Sequence, residues 1–134
     1  MPATADGDVQ PLLPEIDREF LEEKGYVYRV IPAASGLEVV IENFDLAPAY
    51  SPSRADLMII LPAGYPNATL DMFWTYPDVK LRNGNWPERC EHHEIHNERN
   101  WQRWSRHFVQ PWRPGSDTLR TFITSIRQEI TRGI

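Results

Sequence analysis

The chain has 134 residues, 41% hydrophobic and 25% charged, with a formal net charge of −5, which is enough to build one core in a globular protein without help from metal or disulfides. One cysteine excludes an internal disulfide framework, and the negative balance argues against nonspecific affinity for nucleic acid. No apolar run approaches the roughly 20 residues of a membrane span. Residues 1–10 lack the apolar stretch of a secretion signal, so a cytoplasmic protein is expected, with neither membrane nor nucleic acid as partner.

Residues 1–10 are small, polar and acidic, and read as a disordered tail ahead of a single domain over 11–134. From Leu13 to Lys24 a helix is predicted. Pro14 suits a first helical position, Ile16, Phe20 and Leu21 make an apolar stripe, and Gly25 supplies the stop. Four segments of strand character follow. Tyr26–Ile31 runs up to Pro32, Leu37–Leu46 ends before Pro48, Asp56–Leu61 ends at Pro62, and Leu70–Tyr76 ends at Pro77. A proline cannot donate to a ladder, so these prolines punctuate the strands, and short links imply an antiparallel meander.

From Val79 to Gly115 the periodicity is lost. A long irregular segment is expected there, packed down by Trp86, Trp101, Trp104 and Trp112. After Pro114-Gly115, Ser116 or Asp117 can cap a last helix over Asp117–Thr131, with Leu119, Phe122, Ile123, Ile126 and Ile130 on one face. The fold class is therefore α+β: an N-terminal helix, a four-stranded antiparallel meander, a long loop and a C-terminal helix.

All four histidines and the only cysteine fall in the long loop, as Cys90, His92, His93, His96 and His107. Thiol and imidazole serve both nucleophilic chemistry and metal ligation. Cys90 is either a nucleophile, with Arg89 and the histidines lowering its pKa against Glu88 and Glu91, or a small loop residue without chemistry. His107 is either a general base or a buried anchor of the loop. His92, His93 and His96 with Cys90 have spacing that can hold zinc, which would make a metallohydrolase, although no second cysteine pair exists and the spacing fits no familiar finger. Arginines from Arg99 to Arg132 make the C-terminal third basic, either a docking face for an acidic protein or a solvated face of mixed charge.

The order of elements, with Leu61-Pro62-Ala63-Gly64-Tyr65-Pro66 at a bend, the strand Leu70-Asp71-Met72-Phe73-Trp74, and Trp112-Arg113-Pro114 ahead of the last helix, resembles the ubiquitin-conjugating enzyme fold. Gly64-Tyr65-Pro66, Asp71-Met72-Phe73, the run Trp101-Gln102-Arg103-Trp104-Ser105-Arg106-His107 and Trp112-Arg113-Pro114-Gly115 are similar to a bacterial group of that superfamily, associated with ubiquitin-like conjugation systems. The resemblance covers most of Leu13 to Ile130 and implies an active-site loop, no cofactor, and three partners: a ubiquitin-like protein, an adenylating activating enzyme and a protein target. It implies that Cys90 accepts the ubiquitin-like protein as a thioester and that His107 assists its transfer.

Two departures bear on that reading. Tyr76-Pro77-Asp78 stands where the eukaryotic enzymes have His-Pro-Asn, and an ionised carboxylate cannot donate the hydrogen bond attributed to that asparagine. Alignment on Trp112 sets the usual cysteine near Trp104 or Ser105, whereas alignment on Tyr76-Pro77-Asp78 sets it nearer Trp86; Cys90 lies between. A non-catalytic subunit of the same fold, binding a ubiquitin-like protein or a catalytic partner, is the alternative.

Overall fold

The structure is a computed structural model and describes residues 10–106, 108 and 111–132. The expected tail, apart from Gln10, and His107 lie outside the described residues. A short 3-10 turn at Gln10–Leu12 leads into helix α1, Glu15–Glu23. Strands β1 (Tyr28–Ala33), β2 (Gly36–Asp45), β3 (Tyr50–Ser51), β4 (Arg54–Leu61), β5 (Phe73–Tyr76), β6 (Lys80–Leu81), β7 (His92–His96) and β8 (Arg99–Trp104) follow, and helix α2 spans Leu119–Arg132. A six-stranded sheet runs in the order β1-β2-β4-β5-β8-β7 with every pair antiparallel, and β3 pairs with β6 apart from it.

The expected α+β layout holds, with the four predicted strands as β1, β2, β4 and β5. The expectation of an irregular Val79–Gly115 is corrected, because this stretch adds the β7–β8 hairpin to the sheet and contributes β6 to the smaller one. The hairpin turns on Asn97 and Glu98, with φ of 43° and 67°. Two consecutive left-handed residues match the right-handed twist of flanking strands and make a tight two-residue turn. Pro32 does not end β1 but lies within it, opposite Leu37. That position costs little because β1 is a sheet edge and needs no donor on its outer side.

Side-chain alternation sorts the sheet into two faces. On one face Val39, Ile41, Leu57, Ile59, Phe73 and Trp104 pack with Phe20 and Leu21 of α1 and with Leu119, Phe122, Ile123, Ile126 and Ile130 of α2. On the other face Val40, Met58, Trp74 and Trp101 make a smaller cluster, which is why β2 and β4 read as continuous apolar runs. At Gly36, φ is 136° and an added Cβ would meet the Leu61 carbonyl oxygen at 2.0 Å, so only glycine lets β1 turn tightly into β2 beside the end of β4.

The start of α2 is held from another element. Leu119 N–H donates to Asp17 Oδ1 of α1 at 3.2 Å and to the Tyr65 hydroxyl at 2.9 Å, while Tyr65 donates to Asp17 Oδ2 at 2.8 Å. The expected cap Asp117 instead accepts from Arg113 N–H at 2.7 Å. Tyr65 of the Gly64-Tyr65-Pro66 bend therefore ties both helices together, satisfying an orphan donor of a helix end.

Candidate functional site

The site is assembled around β8, whose residues alternate in task as they alternate in face. Trp104 is buried, stacked on Phe73 with ring centroids 5.1 Å apart, and donates through Nε1 to Thr75 Oγ1 at 2.8 Å. Gln102, also buried, accepts from Val79 N–H at 2.7 Å through Oε1 and donates to the Val79 carbonyl at 2.9 Å through Nε2. One amide thus imitates a neighbouring strand and clamps both backbone groups of Val79. Thr75 Oγ1 adds a third bond, to Gln102 Oε1 at 3.1 Å. The clamp fixes the turn Tyr76-Pro77-Asp78, and the Asp78 carboxylate then meets His93 Nε2 at 2.7 Å. His93 lies on β7 opposite Gln102. The ring edge of Trp86 packs on His93 at 5.8 Å between centroids, and Lys80 Nζ lies 4.6 Å from the centre of the Trp86 ring.

His96 is held differently. Its Nδ1 is 3.2 Å from Glu38 Oε2 and its Nε2 is 3.0 Å from Glu94 Oε1. Both ring nitrogens are therefore engaged by carboxyl groups. Glu94 also receives Trp74 Nε1 at 3.0 Å and Arg103 Nη1 at 2.7 Å. Burial pushes the Glu94 carboxyl up, but the bonds from His96, Trp74 and Arg103 together outweigh it and leave its pKa below the usual value. This network pins the hairpin over the outer cluster.

Cys90 is 0% exposed and belongs to the main core. Arg89, with φ of 58°, turns the chain so that the thiol points inward. Its Sγ donates to the Glu88 carbonyl at 3.2 Å and has Arg106 Nη2 at 3.8 Å. Arg106 is itself buried. It donates to the Glu88 carbonyl at 3.0 Å and to the Glu129 carbonyl at 3.0 Å, and its Nη1 is 3.7 Å from Glu129 Oε1. Desolvation pushes the Cys90 thiol up to about 12; the Arg106 charge and hydrogen bond pull it down by less, and Glu91 and Glu88 push further up.

His92, His93 and His96 do not converge. His92, Glu94 and His96 point to the outer face of β7 and His93 to the inner one, and His92 and His96 are separated by about 13 Å at roughly 3.3 Å per residue. Among the described residues no group of three or more His, Cys, Asp or Glu is arranged to hold a metal ion. Beside α2 a cleft of about 450 Å³ opens between Leu70, Phe108, Trp112, Thr121, Phe122 and Ser125. Sequence reasoning marked Cys90 and the histidines by type but missed the Asp78–His93 pair and the Arg106–Glu129 lock over Cys90. A period of two through His92–His96 was the available signal that separates His93 from His92 and His96.

A family model described as prokaryotic E2 family E matches residues 13–133. The chain belongs to prokaryotic E2 family E. This E2-like membership links the chain to ubiquitin-like conjugation and to the ubiquitin-like protein machinery. No curated protein and no solved structure matches it. Among the described residues, no helix is long and apolar enough to cross a membrane.

Proposed function

We propose that this member of prokaryotic E2 family E has the ubiquitin-conjugating fold over 11–134 and works as a docking subunit, binding a ubiquitin-like protein or the catalytic partner without carrying the acyl group on Cys90. The observation that supports this reading most is the full burial of the only thiol beneath Arg106 and Glu129. Acyl transfer needs the sulfur about 3–3.5 Å from a carbonyl carbon arriving from outside. The nucleophile must also be a thiolate, and a thiol at about 12 is ionised at neutral pH only to roughly one part in 10⁵. The cleft of about 450 Å³ beside Trp112 and Phe122 agrees with a binding role.

A second reading is the thioester itself: Cys90 takes a ubiquitin-like protein from an adenylating activating enzyme and passes it to a target, with His107 as base toward the acceptor. The observation that favours it is the Arg106 guanidinium 3.8 Å from Sγ, a positive charge suited to a thiolate. It requires the bonds from Arg106 to Glu88 and Glu129 to open first. The two readings separate in the complete system of activating enzyme, ATP, ubiquitin-like protein and target. Docking predicts that Cys90→Ala conjugates at the wild-type rate; loss of conjugation by a Cys90→Ala protein that still folds would move the thioester reading to first place.

A further inference from the structure

Among the described residues, His93 is the histidine that the fold holds through a single ring nitrogen. His96 has both ring nitrogens against carboxylates. His93 has one: Nε2 meets Asp78 at 2.7 Å, and Nδ1 has no hydrogen-bond partner among the described residues. An N–H donated to Asp78 fixes the tautomer in which Nδ1 bears the lone pair. Independent devices hold this arrangement. Gln102 clamps the backbone next to Asp78, Trp86 packs edge-on against the ring, and β7–β8 pairing sets His93 opposite Gln102. The side chain of His93 is 24% exposed and that of Asp78 is 49% exposed, so the pair is reachable from solvent whereas Cys90 is not.

We propose that His93 is the proton acceptor for aminolysis of a ubiquitin-like protein's activated carboxyl terminus, with Asp78 as its positioning residue; this rests on the docking reading above. The acyl donor is a thioester on the catalytic partner's cysteine and the acceptor is a primary amine of the target. The amine nitrogen attacks the thioester carbonyl carbon, the new C–N bond forms, and the amine proton passes to His93 Nδ1. The C–S bond then breaks and the departing thiolate takes that proton from the imidazolium, so that thioester and amine give amide and thiol with no other reagent. Asp78 stabilises the imidazolium through the contact at Nε2. An acid residue in Tyr76-Pro77-Asp78 then has a use that an asparagine would not serve, because only a carboxylate favours the charged ring.

The test measures single-turnover transfer from the partner's thioester to a target amine, together with binding of the ubiquitin-like protein. His93→Gln should slow transfer about a hundredfold, with KM and binding unchanged. Asp78→Asn should lower kcat about tenfold, again without a change in KM, as expected of a residue acting through His93. His93→Gly should regain much of its lost rate when free imidazole is added, a response that a merely structural histidine would not give. Transfer by His93→Gln at the wild-type rate would overturn the proposal, as would a loss that imidazole does not restore. If the wild-type protein neither binds the ubiquitin-like protein nor accelerates transfer, the docking reading itself falls, and the wild-type control separates that result from failure of the pair alone.

Discussion

At Arg106 a full charge is kept inside the protein, and removing it would strand two backbone acceptors. The guanidinium donates to the Glu88 and Glu129 carbonyls and lies 3.7 Å from the Glu129 carboxylate, which also accepts from Arg132 at 2.6 Å. Glu129 keeps that second cation when Arg106 is lost, so Arg106→Ala should lose about 1–3 kcal/mol in urea unfolding, the cost of orphaned buried acceptors. The thiol beneath it gives a second, milder test. Folded protein at pH 8 should resist alkylation of Cys90 and become reactive only in denaturant, as expected for a buried thiol raised to about 12. Asp17 carries a linkage of known sign. Burial raises its pKa above 3.8, against the bonds from Tyr65 and Leu119. A raised folded pKa contributes stability that is fully present below the unfolded value and is lost as pH rises through the folded one. Asp17→Ala should therefore cost about 1–3 kcal/mol, the cost of orphaned buried donors, and the penalty should be larger near pH 4 than at pH 7.

The β7–β8 hairpin is fastened by polar contacts, and its pH response should run the other way. Glu94 has a lowered pKa, so the stability it contributes is present above its unfolded value of 4.5 and is lost as pH falls through the folded one. Protection of the His96 and Trp101 amides, taken relative to the unstructured exchange rate at each pH, should fall on acidification below that range in wild type and lose this dependence in Glu94→Gln. The same polar character hid the hairpin from sequence reading. His92-His93-Glu94-Ile95-His96 and Arg99–Trp104 carry few aliphatic residues, and Asn97-Glu98 is a weaker turn signal than Asn-Gly. By contrast, β1, β2, β4 and β5 and both helices were legible because apolar period and proline or glycine punctuation agree there. The site was legible only as composition. Cys90 and the histidines stand out by type, but the depth of Cys90 depends on Arg106 meeting Glu129, and His93 depends on Gln102 holding Val79. Those are tertiary pairings without a local pattern.

Across the whole molecule, one sheet face is sealed by the two helices and the other is closed over a smaller cluster by the hairpin. The thiol went into the first of these layers, whereas the Asp78–His93 pair stayed at the sheet's edge, within reach of solvent. Under the proposed docking role, that division would separate carrying an acyl group from assisting its transfer. The most direct measurement is the intact mass of this chain after incubation with its activating enzyme, ATP and ubiquitin-like protein, with and without reductant. The docking account predicts an unmodified Cys90 under both conditions. A reductant-sensitive adduct of one ubiquitin-like protein per chain, absent in Cys90→Ala and converted by Cys90→Ser to a reductant-resistant ester, would contradict it.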